Sequence, residues 1–213
     1  QELTRWRRRA AVRFLEADPM ANLFQLGELE RHGIISAEYN GWTGVFDRDQ
    51  LIALSCSFGR LAKGLPSKLI VAYGDESAAV LLGEHERQLG GAEFIVGPRG
   101  GSDGVITGLE QGATRIHFNQ RLYVCTAADV APFPSTPLEF RPALHKELET
   151  IKQMSAEMML EDLGFDPREN PENWHHTVDR RIKEGRCLIG LNGSQIVFVL
   201  DVGTMSGRGC QVG

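Results

Sequence analysis

No Cys-x-x-Cys pair, no histidine pair four residues apart and no long apolar run occurs in these 213 residues. Each absence removes a class of function. The four cysteines, Cys56, Cys125, Cys187 and Cys210, lie far apart, which argues against a structural zinc site or a redox dithiol. They read as buried or strand thiols rather than nucleophiles. His175 and His176 are neighbours, roughly 100° apart on a helix, whereas a helical metal pair needs i, i+4 spacing, so no metal is expected. No apolar stretch approaches the roughly 18 residues that span a bilayer. Basic residues are also not in excess: 23 Lys and Arg face 28 Asp and Glu, a formal net charge of -5, and neither nucleic acid nor a membrane is expected as partner. The opening "TRWRRRAAVRFLEADP" has adjacent arginines, but Arg13, Glu16 and Asp18 interrupt the apolar residues beyond them, so there is no secretory apolar core. The chain is expected to be cytoplasmic. It begins with Gln1 and not Met, from which a longer gene product is expected.

What is present alternates between helical and strand periodicity. A first helix is predicted over about Leu3 to Leu15, and a second from Asp18-Pro19 to a stop at Gly33, with Asp as cap and Pro at the first helical position. "GWTGVFDRDQLIALSCSFG" reads as two strands around the turn Asp47-Arg48-Asp49. "SKLIVAYG" comes next as strand, "DESAAVLLGEHERQLG" as a capped helix and "AEFIVGP" as strand. A short helix near Gly104 to Gln111 and a long strand "TRIHFNQRLYVCT" complete this half. The segment 129–142 contains Pro132, Pro134, Pro137 and Pro142, cannot be helix or central strand, and reads as an interdomain linker. The pattern then restarts. A helix is predicted over about Ala143 to Leu163 with a stop at Gly164, and a second one is capped by Asn170, with Pro171 first and Gly185 as its stop. A strand pair around Asn192-Gly193 comes next. The fold class is therefore α/β or α+β, with domains 1–128 and 143–213.

"MMLEDLGFDPRENPENWHHTVDRRIKEGRCLIGLNGSQIVFVLDVGTMSGRGCQVG" resembles the start of the acetyltransferase domain in a bacterial subgroup of the GNAT superfamily. "DPMANLFQLGELERHG" and "EFIVGPRG…RIHFNQRLYV" resemble that subgroup's amino-terminal domain. The resemblance covers nearly the whole chain through diffuse patterns, without a catalytic signature. It implies tandem GNAT-like mixed central sheets flanked by helices: a degenerate first domain and then an acetyl-CoA-binding one, here incomplete. In that superfamily acetyl-CoA lies in a V-shaped opening between two central strands. The fourth strand bonds the pantetheine arm, and an R/Q-x-x-G-x-G/A turn at a helix N-terminus grips the pyrophosphate, because glycines let backbone N–H groups approach an anion that the helix dipole favours.

A working pyrophosphate turn needs a helix after it, yet "SGRG" is succeeded by "CQVG", a strand pattern. Gly207, Arg208 and Gly209 are therefore expected to form a loop between the third and fourth strands. By the resemblance, Gln211, Val212 and Gly213 would make the remaining cofactor contacts. Residues 1–213 alone are then expected to show no calorimetric binding of acetyl-CoA at micromolar protein.

Other candidates keep two readings. Glu161 and Asp162 lie where the resemblance places the acceptor side of the cleft and could attract an amine, Glu161 also serving as base through a water; the other reading is a solvated helix face. Phe198 and Asp201 share a strand, and either could face the cleft. Trp174 is a core anchor or a substrate platform. "GPRGGSDG", Gly97 to Gly104, is an anion site or a plain strand-to-helix turn. Arg180, Arg181 and Lys183 read as a solvated helix flank. The expected activity is acetyl transfer from acetyl-CoA to an amine. The alternative is a non-catalytic binding module on a decayed GNAT scaffold, completed by a partner or a second copy because an unpaired sheet edge is a liability.

Overall fold

Two helices that precede a meander of strands occur twice along the chain. A computed structural model describes residues 1–34, 39–59, 67–110, 122–129, 136–164 and 166–212. The chain divides into two units: Gln1–Val124 with Ser206–Gly209, and Cys125–Met205 with Cys210–Gly213.

In the first unit, a 3-10 turn over Arg5–Arg7 leads into α1, Arg8–Leu15, and then α2, Leu23–His32. The second helix starts later than its sequence signal. Asp18 Oδ1 accepts from Ala21 N at 3.1 Å, so this residue caps an isolated turn. Buried Asn22 then donates to the carbonyls of Leu15 and Asp18, at 3.0 and 2.9 Å, which ties the connection down before Leu23 begins the helix. Gly33, with φ of 74°, ends it, a positive φ that glycine adopts without a Cβ penalty.

The strands β1, Tyr39–Asp47, β2, Gln50–Phe58, and β3, Ser67–Gly74, form an antiparallel meander. Strand β4, Ala92–Val96, joins parallel to β3. A parallel neighbour requires a crossover, and α3, Glu76–Leu89, supplies it. Alternation along the strands sends residues to opposite faces. Leu54 and Cys56 pack with Leu15, Leu26, Leu29 and Trp42 under α1 and α2. Ala53, Ile70 and Ala72 pack with Ala79, Leu82 and Val105 under α3 and α4.

Helix α4 spans Arg99–Leu109, five residues earlier than the predicted start at Gly104. The run Gly100-Gly101 discourages a helix by about 1 kcal/mol per glycine, but packing overrides it. A Cβ on Gly104 would overlap the Glu76 carbonyl, one on Gly108 the Val80 carbonyl, and one on Gly83 the Val105 carbonyl. Small residues here are what lets α3 and α4 approach. The predicted strand "TRIHFNQRLYVCT" lies outside the described residues up to position 121, and residues 122–126 have no regular structure.

The second unit opens with β5, Glu139–Pro142. This corrects the predicted linker at its C-terminal end: residues 139–142 pair antiparallel with β6, Cys187–Asn192. Proline is tolerated because β5 is the edge of the order β5-β6-β7-β8, where a missing donor costs no ladder bond. A 3-10 turn, His145–Glu147, leads into α5, Leu148–Leu163, which Gly164 terminates at φ 65°. Helix α6, Pro171–Lys183, is capped by Asn170, whose side chain accepts from Asn173 N. The hairpin of β6 and β7, Gln195–Ser206, turns at Gly193. Ile151, Trp174, Val178, Ile182, Ile189 and Leu191 fill the space between the helices and one sheet face.

Candidate functional site

The two residues between β7 and β8, Gly209–Val212, form the turn Gly207-Arg208. "SGRG" is thus a hairpin turn between the third and fourth strands of its sheet, as the strand pattern after it predicts, and no helix N-terminus stands behind it to grip a phosphate. Gln211 and Val212 lie on β8 with exposed side chains. Gly213 lies outside the described residues.

Glu161 and Asp162 are exposed on the last turn of α5. Phe198 is not gathered with them. Its ladder partner is Gly190, while the adjacent Ile189 and Val199 pack under α5 and α6, so the period of two sends Phe198 to the opposite sheet face. There it meets Phe140 edge to face, with ring centroids 6.0 Å apart. The two rings are 41% and 57% exposed.

Asp201 points the other way, into the helix side, where Arg181 Nη1 donates to its Oδ2 at 2.7 Å. Arg181 is therefore no solvated flank, whereas Arg180 and Lys183 are exposed as expected, with Lys183 donating to the buried Asp179 at 2.6 Å. Cys187 faces Asp201 across the ladder. Burial, and then the Asp201 carboxylate, push its thiol up to about 12, which keeps it protonated and inert near neutral pH. Burial also raises the Cys56 thiol. Cys125 and Cys210 are exposed.

Trp174 is 5% exposed and belongs to the core, with its Nε1 donating to the Lys152 carbonyl at 3.1 Å. Its edge nevertheless lines a cleft of about 400 Å³ between α5 and α6, together with Glu149, Lys152, Gln153, Arg168 and Pro171. Lys152 Nζ lies 3.0 Å from Glu149 Oε2 and 3.4 Å from His175 Nδ1. Arg168 forks onto Asp166, with bonds of 2.7 and 2.8 Å. Each of these cations already meets a carboxylate, so little positive charge remains to hold an anion. Sequence reasoning missed this cleft, although the i, i+3 spacing of Glu149 and Lys152 is a signal for their pairing.

The first unit offers two helix N-termini beside its parallel strands. At α3, Asp75 caps Ala78 N at 3.2 Å and Glu76 occupies the first turn. A phosphate there would meet two carboxylates and an N–H already engaged. At α4, Pro98 supplies no N–H, Ser102 Oγ turns back to the Gly97 carbonyl at 3.1 Å, and Gly101 and Gly104 pack against β3 and α3. "GPRGGSDG" is a strand-to-helix turn that becomes a packing stripe.

Among the described residues, no group of three His, Cys, Asp or Glu could hold a metal ion, and no helix is long and apolar enough to cross a membrane. No family model, no curated protein and no solved structure matches this chain.

Proposed function

We propose that the gene product containing this sequence is an acetyl-CoA-dependent N-acetyltransferase of the tandem GNAT type, with acceptor chemistry in the second unit. One observation carries the reading: both units place two helices before an antiparallel meander, and the first continues into a parallel strand joined through a helix. Two sheets, each accompanied by helices, support the tandem mixed sheets flanked by helices that the sequence resemblance implies. The self-capped, acidic start of α3 supports a first unit that does not bind the cofactor.

In the second unit, the backbone of β8 would pair with the amides of the pantetheine arm through Gln211 and Val212, with Gly213 next in line. Glu161 and Asp162 would draw a cationic amine, and Glu161 would take its proton through a water. The freed amine attacks the thioester carbonyl, the N–C bond forms as the C–S bond breaks, and the thiolate leaves with a proton. Backbone N–H groups of β8 would steady the developing oxyanion.

The exposed pair Phe140 and Phe198 favours the second reading, a non-catalytic interaction module. Thiol release separates the two. The full gene product incubated with acetyl-CoA and a panel of primary amines is expected to release free CoA only when an accepted amine is present. Glu161→Gln is expected to slow this by about 10²-fold, the usual size of a lost general base. Absence of release with every amine class would leave the interaction module standing.

A further inference from the structure

The three tryptophans divide sharply. Trp42 and Trp174 are 2% and 5% exposed, but Trp6 is 94% exposed. Its surroundings are basic. Arg7 lies over the Phe46 ring at 4.4 Å, and Arg8 donates to the Leu29 carbonyl at 3.2 Å, which anchors this helix to its own unit. Arg5, Arg9 and Arg13 are exposed, and no ion pair, hydrogen bond or ring contact engages their side chains among the described residues. The spacing from Trp6 to Arg9 and Arg13 is i, i+3, i+7, and Arg5, Arg9 and Arg13 run at i, i+4, i+8, so the four share one stripe. Trp and Arg are the residues most enriched at the energetic centres of protein interfaces.

We propose that this stripe, which runs from the 3-10 turn Arg5–Arg7 into α1, is a docking surface for an acidic segment of a partner protein, one in which carboxylates flank an apolar residue that seats on Trp6. This goes beyond the acetyltransferase reading and does not depend on it. Size and charge choose the occupant. Residues 6 to 13 cover about 10 Å of helix, matched by three or four residues of an extended peptide at about 3.3 Å each. A nucleic acid carries a charge every ~1.7 Å along its axis, and its remaining phosphates would lie over a chain of net charge -5. A membrane would need further apolar residues beside Trp6, yet the apolar Val12 and Phe14 of α1 are turned into the core.

Fluorescence anisotropy of a labelled Glu-Glu-Leu-Glu-Glu-Leu-Glu-Glu peptide tests the proposal on the full chain. Saturable binding is expected at 50 mM salt, weakened at least about tenfold at 300 mM, where exposed charges are screened more strongly. Arg9→Glu with Arg13→Glu should abolish it. The milder Arg9→Gln with Arg13→Gln, and Trp6→Ala, should each weaken it about tenfold. These side chains are exposed, so circular dichroism should show the fold retained. No saturable signal below millimolar protein, or binding indifferent to the arginine variants, would overturn the proposal. So would tighter binding of a labelled twelve-nucleotide single strand or of phosphatidylserine vesicles, and the latter outcomes would assign the stripe to a nucleic acid or a membrane instead.

Discussion

Gly108→Val is expected to destabilise the first unit by about 3 kcal/mol, the upper range for overpacking, and to lower its melting temperature by roughly 15 °C. The added side chain has nowhere to go. Even a bare Cβ at this position would overlap the Val80 carbonyl and crowd Glu84 N, and backbone cannot yield as the end of a flexible side chain can. Either α4 moves off α3 or the backbone of α3 bends, and both open the contact that holds Ala79, Leu82 and Val105 over the sheet. Gly164→Ala is the control. A Cβ there meets nothing within 4 Å, and only the left-handed φ of 65° opposes it, a cost of about 1 kcal/mol. A calorimetric scan of both variants checks the contrast. Equal, small shifts would mean that the helices do not pack through the glycine stripe.

Arg181→Met is expected to cost about 3 kcal/mol in the second unit, because it strands a charge. Asp201 is 7% exposed, its Oδ1 has no hydrogen-bond partner, and the guanidinium of Arg181 is the cation bonded to its Oδ2. Removing one member of a buried pair leaves the other uncompensated, which is where the cost of about 3–5 kcal/mol arises. The Arg181 side chain is 26% exposed, so some water reaches the site and the lower end applies. Adding Asp201→Leu to Arg181→Met should recover most of the loss, since an apolar replacement of both members leaves no stranded charge. Chemical denaturation of the two single variants and the double variant measures the coupling. A double variant no more stable than Arg181→Met alone would contradict this account.

How far the fold was legible depended on whether a signal was local. Caps and stops could be read directly: Asp75, Asn170, Gly33, Gly164 and the Asn192-Gly193 turn all sit where their side-chain or backbone chemistry places them. The reading failed where tertiary packing overrode propensity. A glycine-rich run reads as loop, yet in α4 the same glycines mark close approach to α3, information that resides in the partner helix. Asp18-Pro19 has the chemistry of a helix start, but the side chain of Asn22 holds the connection open for one more turn. Pro142 argues for a linker, and only the position of β5 at a sheet edge makes it compatible with a strand. For the candidate site, alternation along the strand cannot say which of Phe198 and Asp201 faces the cleft, because that depends on which sheet face the helices cover. The pairing of Arg181 with Asp201 joins a helix to a strand 20 positions away, and no spacing rule reveals it. By contrast, the role of "SGRG" was open to reading because the residues directly after a turn show whether it leads into a strand or a helix.

Hydrogen exchange of the full gene product with and without saturating acetyl-CoA tests the proposed activity most directly, since it reports which backbone, if any, acetyl-CoA covers. Slower exchange is predicted in β8, at Gly209–Val212, with no change at the first turns of α3 and α4, and Arg208→Ala should leave the affinity within about twofold because its turn leads into a strand and carries no helix dipole. Protection at Ala78 or at Arg99–Gly101, loss of binding in Arg208→Ala, or no protection in β8 would contradict the account.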